Sequence, residues 1–248
     1  MIYPKLIAHR GLFNDNYPEN SLSAFKNAVL NGIAIELDVR LTKDCKIVVF
    51  HDSDLNRMTG IDAELSDFTY EQLSILNLSN TNEHIPTLSQ VLKLVDGKVP
   101  IFIEIKGGAP IGTLEKRLDK LMKSYKGSWS VMSFNPFRLM WFNRHASHVT
   151  RGQLVSCFKK KMSLKYISRK ICSKPTVWKY ISKPNFIAYD LRCIGVKPII
   201  DAFENNCEFL TWTASNEELL TQALKFSKSV IFDNIDPNIA KSIAENEE

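Results

Sequence analysis

Residues able to do chemistry on a charged substrate fall in four places along the chain. Glu36 and Asp38 stand two apart within Ile35 to Leu41, and His51-Asp52 closes a second apolar run, Ile47 to Phe50. In a strand, side chains at i and i+2 share a face, so the two carboxylates lie side by side. The polar link before Ile47 is too short for a parallel crossover, which makes the two runs an antiparallel hairpin. A turn between Asp44 and Cys45 pairs residues whose numbers sum to 89, and sets His51 opposite Asp38.

The other two places are His9-Arg10, after the apolar stretch from Lys5, and Glu104 with Lys106, which share a face of the stretch Pro100 to Lys106. Charge buried at a strand end is costly unless it is paired or metal-bound. Glu36, Asp38 and Glu104 meeting there would repel one another, and one hard divalent cation is the simplest remedy. An all-oxygen donor set favours Mg²⁺ or Ca²⁺, with Mn²⁺ as a third option, over zinc. His9 and His51 can exchange protons near neutral pH, and Arg10 and Lys106 supply positive charge for an anion. Together these groups suit cleavage of a phosphate ester. Cations neutralise the phosphoryl oxygens, one histidine deprotonates the attacking hydroxyl, and the other protonates the leaving oxygen. P-loop, nucleophile-elbow and G-x-G-x-x-G patterns are absent from the sequence, which argues against nucleotide-binding and serine-hydrolase classes.

The elements that must position these groups follow from the hydrophobic pattern. Eight strands are expected, at 5–9, 34–39, 101–106, 130–134, 152–156, 186–191, 208–213 and 230–233, apart from the hairpin's return arm. Helices are expected between them, among them Leu22 to Leu30 capped by Asn20 or Ser21 and closed by Asn31-Gly32, and Leu88 to Val95 capped by Thr87. Further helices are expected at 113–125, 136–144, 197–205, 216–227 and 237–245, with helical pieces in 159–183. This alternation implies a parallel sheet, and eight units in 248 residues indicate a (β/α)8 TIM barrel, with a doubly wound sheet as the runner-up. Reactive residues of such barrels stand at the C-terminal ends of strands, where this chain keeps its polar residues.

Composition is that of an ordinary globular protein, with 44% hydrophobic and 24% charged residues. The N-terminus lacks a signal peptide's long apolar core, and five scattered cysteines make neither a disulfide framework nor a C-x-x-C site. A cytoplasmic location, peripheral to the membrane at most, is the expectation. The net charge of +5 conceals an asymmetry. Residues 120–189 hold fifteen Lys and Arg and no Asp or Glu, while the rest hold seventeen basic and twenty-seven acidic, a balance of −10. That block, with Phe137, Trp141, Phe142, Phe158, Tyr166, Trp178 and Tyr180, reads either as a solvated outer layer or as a patch for an anionic membrane surface. No stacking platform or nucleic-acid motif accompanies it.

In order along the chain, His9-Arg10-Gly11, Pro18-Glu19-Asn20 with Ala24-Phe25, Glu36-x-Asp38-Val39, Val48-Val49-Phe50-His51-Asp52, Leu55-x-Arg57-x-Thr59-Gly60, Pro86-Thr87-Leu88 and Glu104-Ile105-Lys106 resemble the glycerophosphodiester phosphodiesterase family. The likeness continues more thinly through Ser133-Phe134, Thr211-Trp212-Thr213 and Asp233. It implies one barrel domain over 1–248, with 52–86 as a small inserted cap after the hairpin. It also implies that Glu36, Asp38 and Glu104 bind the cation, that His9 and His51 are general acid and base, and that Arg10 and Lys106 hold phosphate. Phe134 and Trp212 become candidate substrate contacts, against a competing reading as packing. The implied reaction yields glycerol 3-phosphate and an alcohol, through attack of the glycerol's own hydroxyl on phosphorus. The substrate would be a small glycerophosphodiester or, at a membrane, a lysophospholipid; a silent phospholipid-binding barrel is the non-enzymatic alternative. The chain departs from the family pattern at Cys45, where glycine is usual in the turn, and at Ser215, where asparagine is common.

Overall fold

The computed structural model describes residues 3–156, 180–193 and 207–247. The chain forms two compact units, Ile7–Trp129 and Met1–Leu6 with Ser130–Glu248.

In the first unit, β1 (Leu6–Ala8) leads to α1 (Leu22–Leu30), whose Ser21 cap accepts from the Ala24 N–H. Asn31 and the left-handed Gly32 close that helix as expected. The next strand, β2 (Ala34–Leu41), pairs in parallel with β1 and turns back into β3 (Ile47–Val49). Two one-turn helices, α2 (Asn56–Thr59) and α3 (Tyr70–Leu73), precede α4 (Leu88–Val95), which Thr87 and Gln90 cap reciprocally. β4 (Ile101–Ile105) then runs parallel to β2 with Asp38 directly beside Glu104, and α5 (Thr113–Met122) follows.

The hairpin register differs from the expected one. Val39 faces Val49 and Leu41 faces Ile47, so facing residues sum to 88 rather than 89. His51 therefore does not face Asp38; β3 ends at Val49, and His51 lies beyond the paired residues. The cause is the turn. Cys45 adopts φ 60°, its N–H donating to the Thr42 carbonyl and Lys46 N to the Thr42 hydroxyl. A three-residue loop ending in a left-handed residue shifts the register by one against a two-residue turn.

Between the hairpin and α4, the chain builds a small core of its own. Val48, Phe50, Leu55, Met58, Leu65, Leu73, Leu78 and Ile85 bury together, with Ile61, Phe68, Tyr70 and Leu76 packed against them. Helices of four residues are too short to stand on propensity, since isolated helices below roughly 12 residues are marginal. This burial holds the segment, at about 1.5–3 kcal/mol for each large side chain removed from water.

In the second unit, β5 (Trp129–Ser133), β6 (Thr150–Val155), β7 (Phe186–Asp190), β8 (Glu208–Ala214) and β9 (Ser229–Phe232) pair in parallel in chain order. Among the described residues their helices are α6 (Pro136–His145), α7 (Glu217–Leu224) and α8 (Pro237–Asn246), begun by Asn135, Asn216 and Asp236 as side-chain caps. Outside the β6–β7 and β7–β8 connections, most of which lie beyond the described residues, helices stand between the parallel strands as in a (β/α)8 architecture. The expected helix at 197–205 and most of the helical pieces in 159–183 lie outside the described residues, as do Phe158, Tyr166 and Trp178. Phe142 leaves the expected aromatic patch because it is fully buried in the core, whereas Phe137 and Tyr180 are exposed.

Candidate active site

The first unit brings Arg10, Glu36, Asp38, His51, Glu104 and Lys106 into one set of contacts. Glu36 and Asp38 project from β2, and Glu104 from the register position beside Asp38 on β4. All three are buried, and one carboxylate oxygen from each lies within 4.8 Å of the others. Lys106 Nζ reaches Asp38 Oδ1 at 2.9 Å and Glu104 Oε1 at 2.8 Å. Lys106 thus bridges both carboxylates. Arg10 Nε stands 3.5 Å from Asp38 Oδ2 without a hydrogen-bond geometry, while the Arg10 backbone N–H donates to Glu36 Oε2 at 3.1 Å. That backbone reach depends on Arg10 at φ 56° and Gly11 at φ 84°. A Cβ on Gly11 would crowd Ala24 at 3.0 Å and sit on a left-handed backbone, so a side chain there is strained on both counts.

The charges do not balance within this cluster. Burial pushes the Asp38 carboxyl up, yet Lys106, His51 and Arg10 outweigh it and hold the group well below its ordinary value. Burial pushes Lys106 down, and Asp38 and Glu104 overcome that to hold it protonated. Glu36 goes the other way: burial, then Asp38 and Glu104, push it well above the usual carboxylate range. It forms no ion pair among the described residues, and its partner is a main-chain N–H. Three carboxylates against one lysine and one arginine leave about one negative charge uncompensated, and Glu36 carries the strain. An all-oxygen site with surplus negative charge fits a divalent cation.

His51 has its ring lowered, first by burial, against the raising effect of Asp38. Its Nδ1 lies 2.6 Å from Asp52 Oδ1, and Arg40 Nε and Nη2 bind its carbonyl oxygen at 3.0 and 2.7 Å. His9 follows β1 and is partly exposed. Phe134 and Trp212 belong to the second unit, where their rings meet edge to face at 5.6 Å. Trp212 Nε1 donates to the Ala188 carbonyl at 2.9 Å, an anchor that a free aromatic contact would lack. His84, His145 and His148 are exposed.

Sequence reasoning missed several residues that the fold brings into this set. Asn20, in a left-handed conformation and buried, donates from Nδ2 to Asp38 Oδ2 at 2.9 Å; the sequence offered it only as a helix cap. Glu19 binds Arg10 at 2.8 Å, and Arg57 binds both Glu19 and Asp52. These residues stand in the strings that carried the family resemblance, but only the fold shows what they touch. A cavity of about 300 Å³, lined by Arg40, Cys45, Ser53, Glu64 and Gly107 among others, takes in none of the candidate catalytic residues.

Residues 9–237 match the model of the glycerophosphoryl diester phosphodiesterase family. A glycerophosphodiester phosphodiesterase of Caldanaerobacter subterraneus is 38% identical over 163 residues, 61% of this chain and 67% of that protein. One from Bacillus altitudinis is 42% identical over 109 residues, 41% of this chain and 44% of its own length. The structure of an Oleispira antarctica phosphodiesterase in complex with the product sn-glycerol-3-phosphate superposes with a TM-score of 0.80 at 22% identity, over 98% of this chain and 97% of that one. The likeness to solved structures shows the fold to be the (β/α)8 TIM barrel that the strand pattern implies, not the doubly wound sheet. With its family model matched over nearly the whole length, and with a buried carboxylate cluster of a kind that could hold a divalent cation, the chain belongs to the glycerophosphoryl diester phosphodiesterase family.

Proposed function

We propose that the protein hydrolyses glycerophosphodiesters to glycerol 3-phosphate and an alcohol. The observation that carries this reading is the buried Glu36, Asp38 and Glu104 cluster with His51, Arg10 and Lys106 gathered around it. Glu36, Asp38 and Glu104 would hold one divalent cation, Mg²⁺ or Ca²⁺, with Mn²⁺ as a third choice. When bound, the cation supplies charge neutralisation for the phosphoryl oxygens. Lys106 and Arg10 contribute positive charge to the same oxygens. One of His9 and His51 takes the proton from the substrate's glycerol hydroxyl as it attacks phosphorus, and the other protonates the departing alcohol oxygen. Water then opens the cyclic phosphodiester with the two histidines in exchanged roles. Phe134 and Trp212 are assigned to the alcohol side of the substrate, and residues 52–86 to a cap.

The test is release of glycerol 3-phosphate from glycerophosphocholine, with and without EDTA, by the wild type and by His9→Ala and His51→Ala. The expected outcome is turnover abolished by the chelator and lowered about 10²- to 10⁴-fold by either substitution. Turnover indifferent to EDTA would sink the cation's part. A protein that binds phosphodiesters and turns over none of a broad panel would be the silent barrel instead. Phe134→Ala and Trp212→Ala should raise KM several-fold with smaller changes in kcat; unchanged kinetics would return both rings to packing.

A second reading, lysophospholipase D activity, is favoured by the acid-free block 120–189 with Phe137 and Tyr180 exposed. Lysophosphatidylcholine offered beside glycerophosphocholine separates the two, since the preferred substrate has the higher kcat/KM.

A further inference from the structure

A chain of hydrogen bonds links Arg10 to His51 without passing through the carboxylate cluster. Arg10 Nη1 donates to Glu19 Oε1 at 2.8 Å. Arg57 donates to both oxygens of Glu19, from Nη2 to Oε1 at 2.7 Å and from Nη1 to Oε2 at 2.9 Å. Arg57 Nε donates to Asp52 Oδ2 at 2.6 Å, and Asp52 Oδ1 meets His51 Nδ1 at 2.6 Å. A guanidinium offers its N–H groups in a rigid fork, so Arg57 fixes two carboxylates relative to each other as a lysine could not. It stands on the four-residue helix of the segment that follows the hairpin, which its own small core holds in place.

The direction of the last bond follows from the others. Burial pushes the Asp52 carboxyl up, but the hydrogen bond from Arg57, the largest of the opposing effects, draws it below its ordinary value. An ionised carboxylate only accepts, so Nδ1 of His51 carries the hydrogen and Nε2 is the nitrogen left to exchange a proton. We propose that Arg57 is a positioning residue: by holding Asp52 against His51 it selects the tautomer that presents Nε2, and by holding Glu19 against Arg10 it orients the arginine beside Asp38. The proposal rests on His51 as general acid or base, and its test separates the two ideas.

Arg57→Met, Arg57→Lys and Glu19→Gln are compared with the wild type by kinetics on glycerophosphocholine and by ¹⁵N shifts of the histidine rings. The wild-type His51 should show Nδ1 protonated and Nε2 free. In Arg57→Met the ring should become a tautomer mixture, with kcat about 10- to 100-fold lower, the range of outer partners that orient a catalytic group, and KM changed less than threefold. Arg57→Lys should recover part of kcat, because it restores the charge without the fork. Should Arg57→Met fail to fold, Glu19→Gln carries the test, since it loosens the far end of the fork at constant volume and should lower kcat in the same direction. Unchanged histidine shifts in a folded variant, or wild-type kcat, would overturn the proposal and leave Arg57 as a fastener of its segment. The shifts need no substrate, so they decide the tautomer even if the protein turns over no glycerophosphodiester.

Discussion

Glu36 is the residue on which the cation argument turns. It is buried with two other carboxylates beside it, and its ordinary ionisation is disfavoured on all those counts. Glutamine there removes the cost of ionising a carboxyl among two others and keeps an oxygen to accept from the Arg10 N–H. In EDTA, Glu36→Gln should therefore melt at or above the wild-type temperature. A gain of about 1 kcal/mol would appear as roughly 2–4 °C in a chain of this size. Saturating Mg²⁺ or Ca²⁺ should raise the wild-type melting temperature and leave the variant nearly unmoved, since a ligand stabilises only the state that binds it. A wild type indifferent to both ions and to Mn²⁺ would remove the cation from the site. At this scale the sequence was informative because the carboxylates sit on strands, where spacing dictates the face. Asn20, Glu19 and Arg57 were less legible: they reach the site from loops and a single helical turn, and no periodicity places such residues.

The hairpin shows what the hydrophobic pattern does and does not specify about an element. Its two arms, the antiparallel pairing and the parallel partner β4 followed from apolar spacing and loop length. The register did not, because it depends on one residue's backbone, and Cys45 in place of glycine disguised a left-handed turn position. A non-glycine residue there costs about 1–2 kcal/mol. Cys45→Gly should raise the melting temperature by a few degrees with activity unchanged; a lower melting temperature would mean that the cysteine's own contacts outweigh the strain. Helix α2 supports a second prediction. Burial raises the Glu19 carboxyl, and the bonds from Arg57 together with the charges of Arg10 and Arg57 more than reverse it; Asp52 is lowered in the same manner. A carboxyl lowered in the folded state adds stability above its unfolded value, about 4, and that stability is lost as pH falls through the folded value. Thermal melts of the wild type should therefore weaken below about pH 4, and Arg57→Met should show a shallower acid limb. Parallel limbs in the two proteins would contradict the ion-pair origin.

For the molecule as a whole, alternation of strand and helix was legible wherever the described residues show the connections, because a parallel sheet forces a long crossover between its strands. What the pattern could not separate was burial on a helix: Phe142 and Phe137 stand on the same helix, one fully buried and the other exposed. The charge asymmetry is also a whole-molecule property. If the basic block meets anionic lipid, binding to phosphatidylserine-containing vesicles should be measurable in low salt and fall away as the Debye length shrinks from about 10 Å at 0.1 M to 3 Å at 1 M. Cosedimentation that is absent in low salt would leave the block as a solvated surface and weaken the lysophospholipid reading. Among the described residues no helix is long and apolar enough to cross a membrane, so a surface interaction is the form that the test addresses.

The turn at Arg10 has a consequence for how this protein tolerates change. Position 10 serves the site twice, through a guanidinium that meets Glu19 and Asp38 and through a peptide N–H that meets Glu36. The Arg10 carbonyl, in the next peptide, accepts from Asn20 N at 2.9 Å, so the backbone is held on both sides of this residue. Only the guanidinium is written in the codon. A replacement of Arg10 deletes that contribution and leaves the main-chain donor in place, so an alanine scan reports half of what the position does. The other half is probed through its neighbour, Gly11, where a side chain would crowd Ala24 at 3.0 Å and strain the left-handed backbone that aims the Arg10 N–H at Glu36.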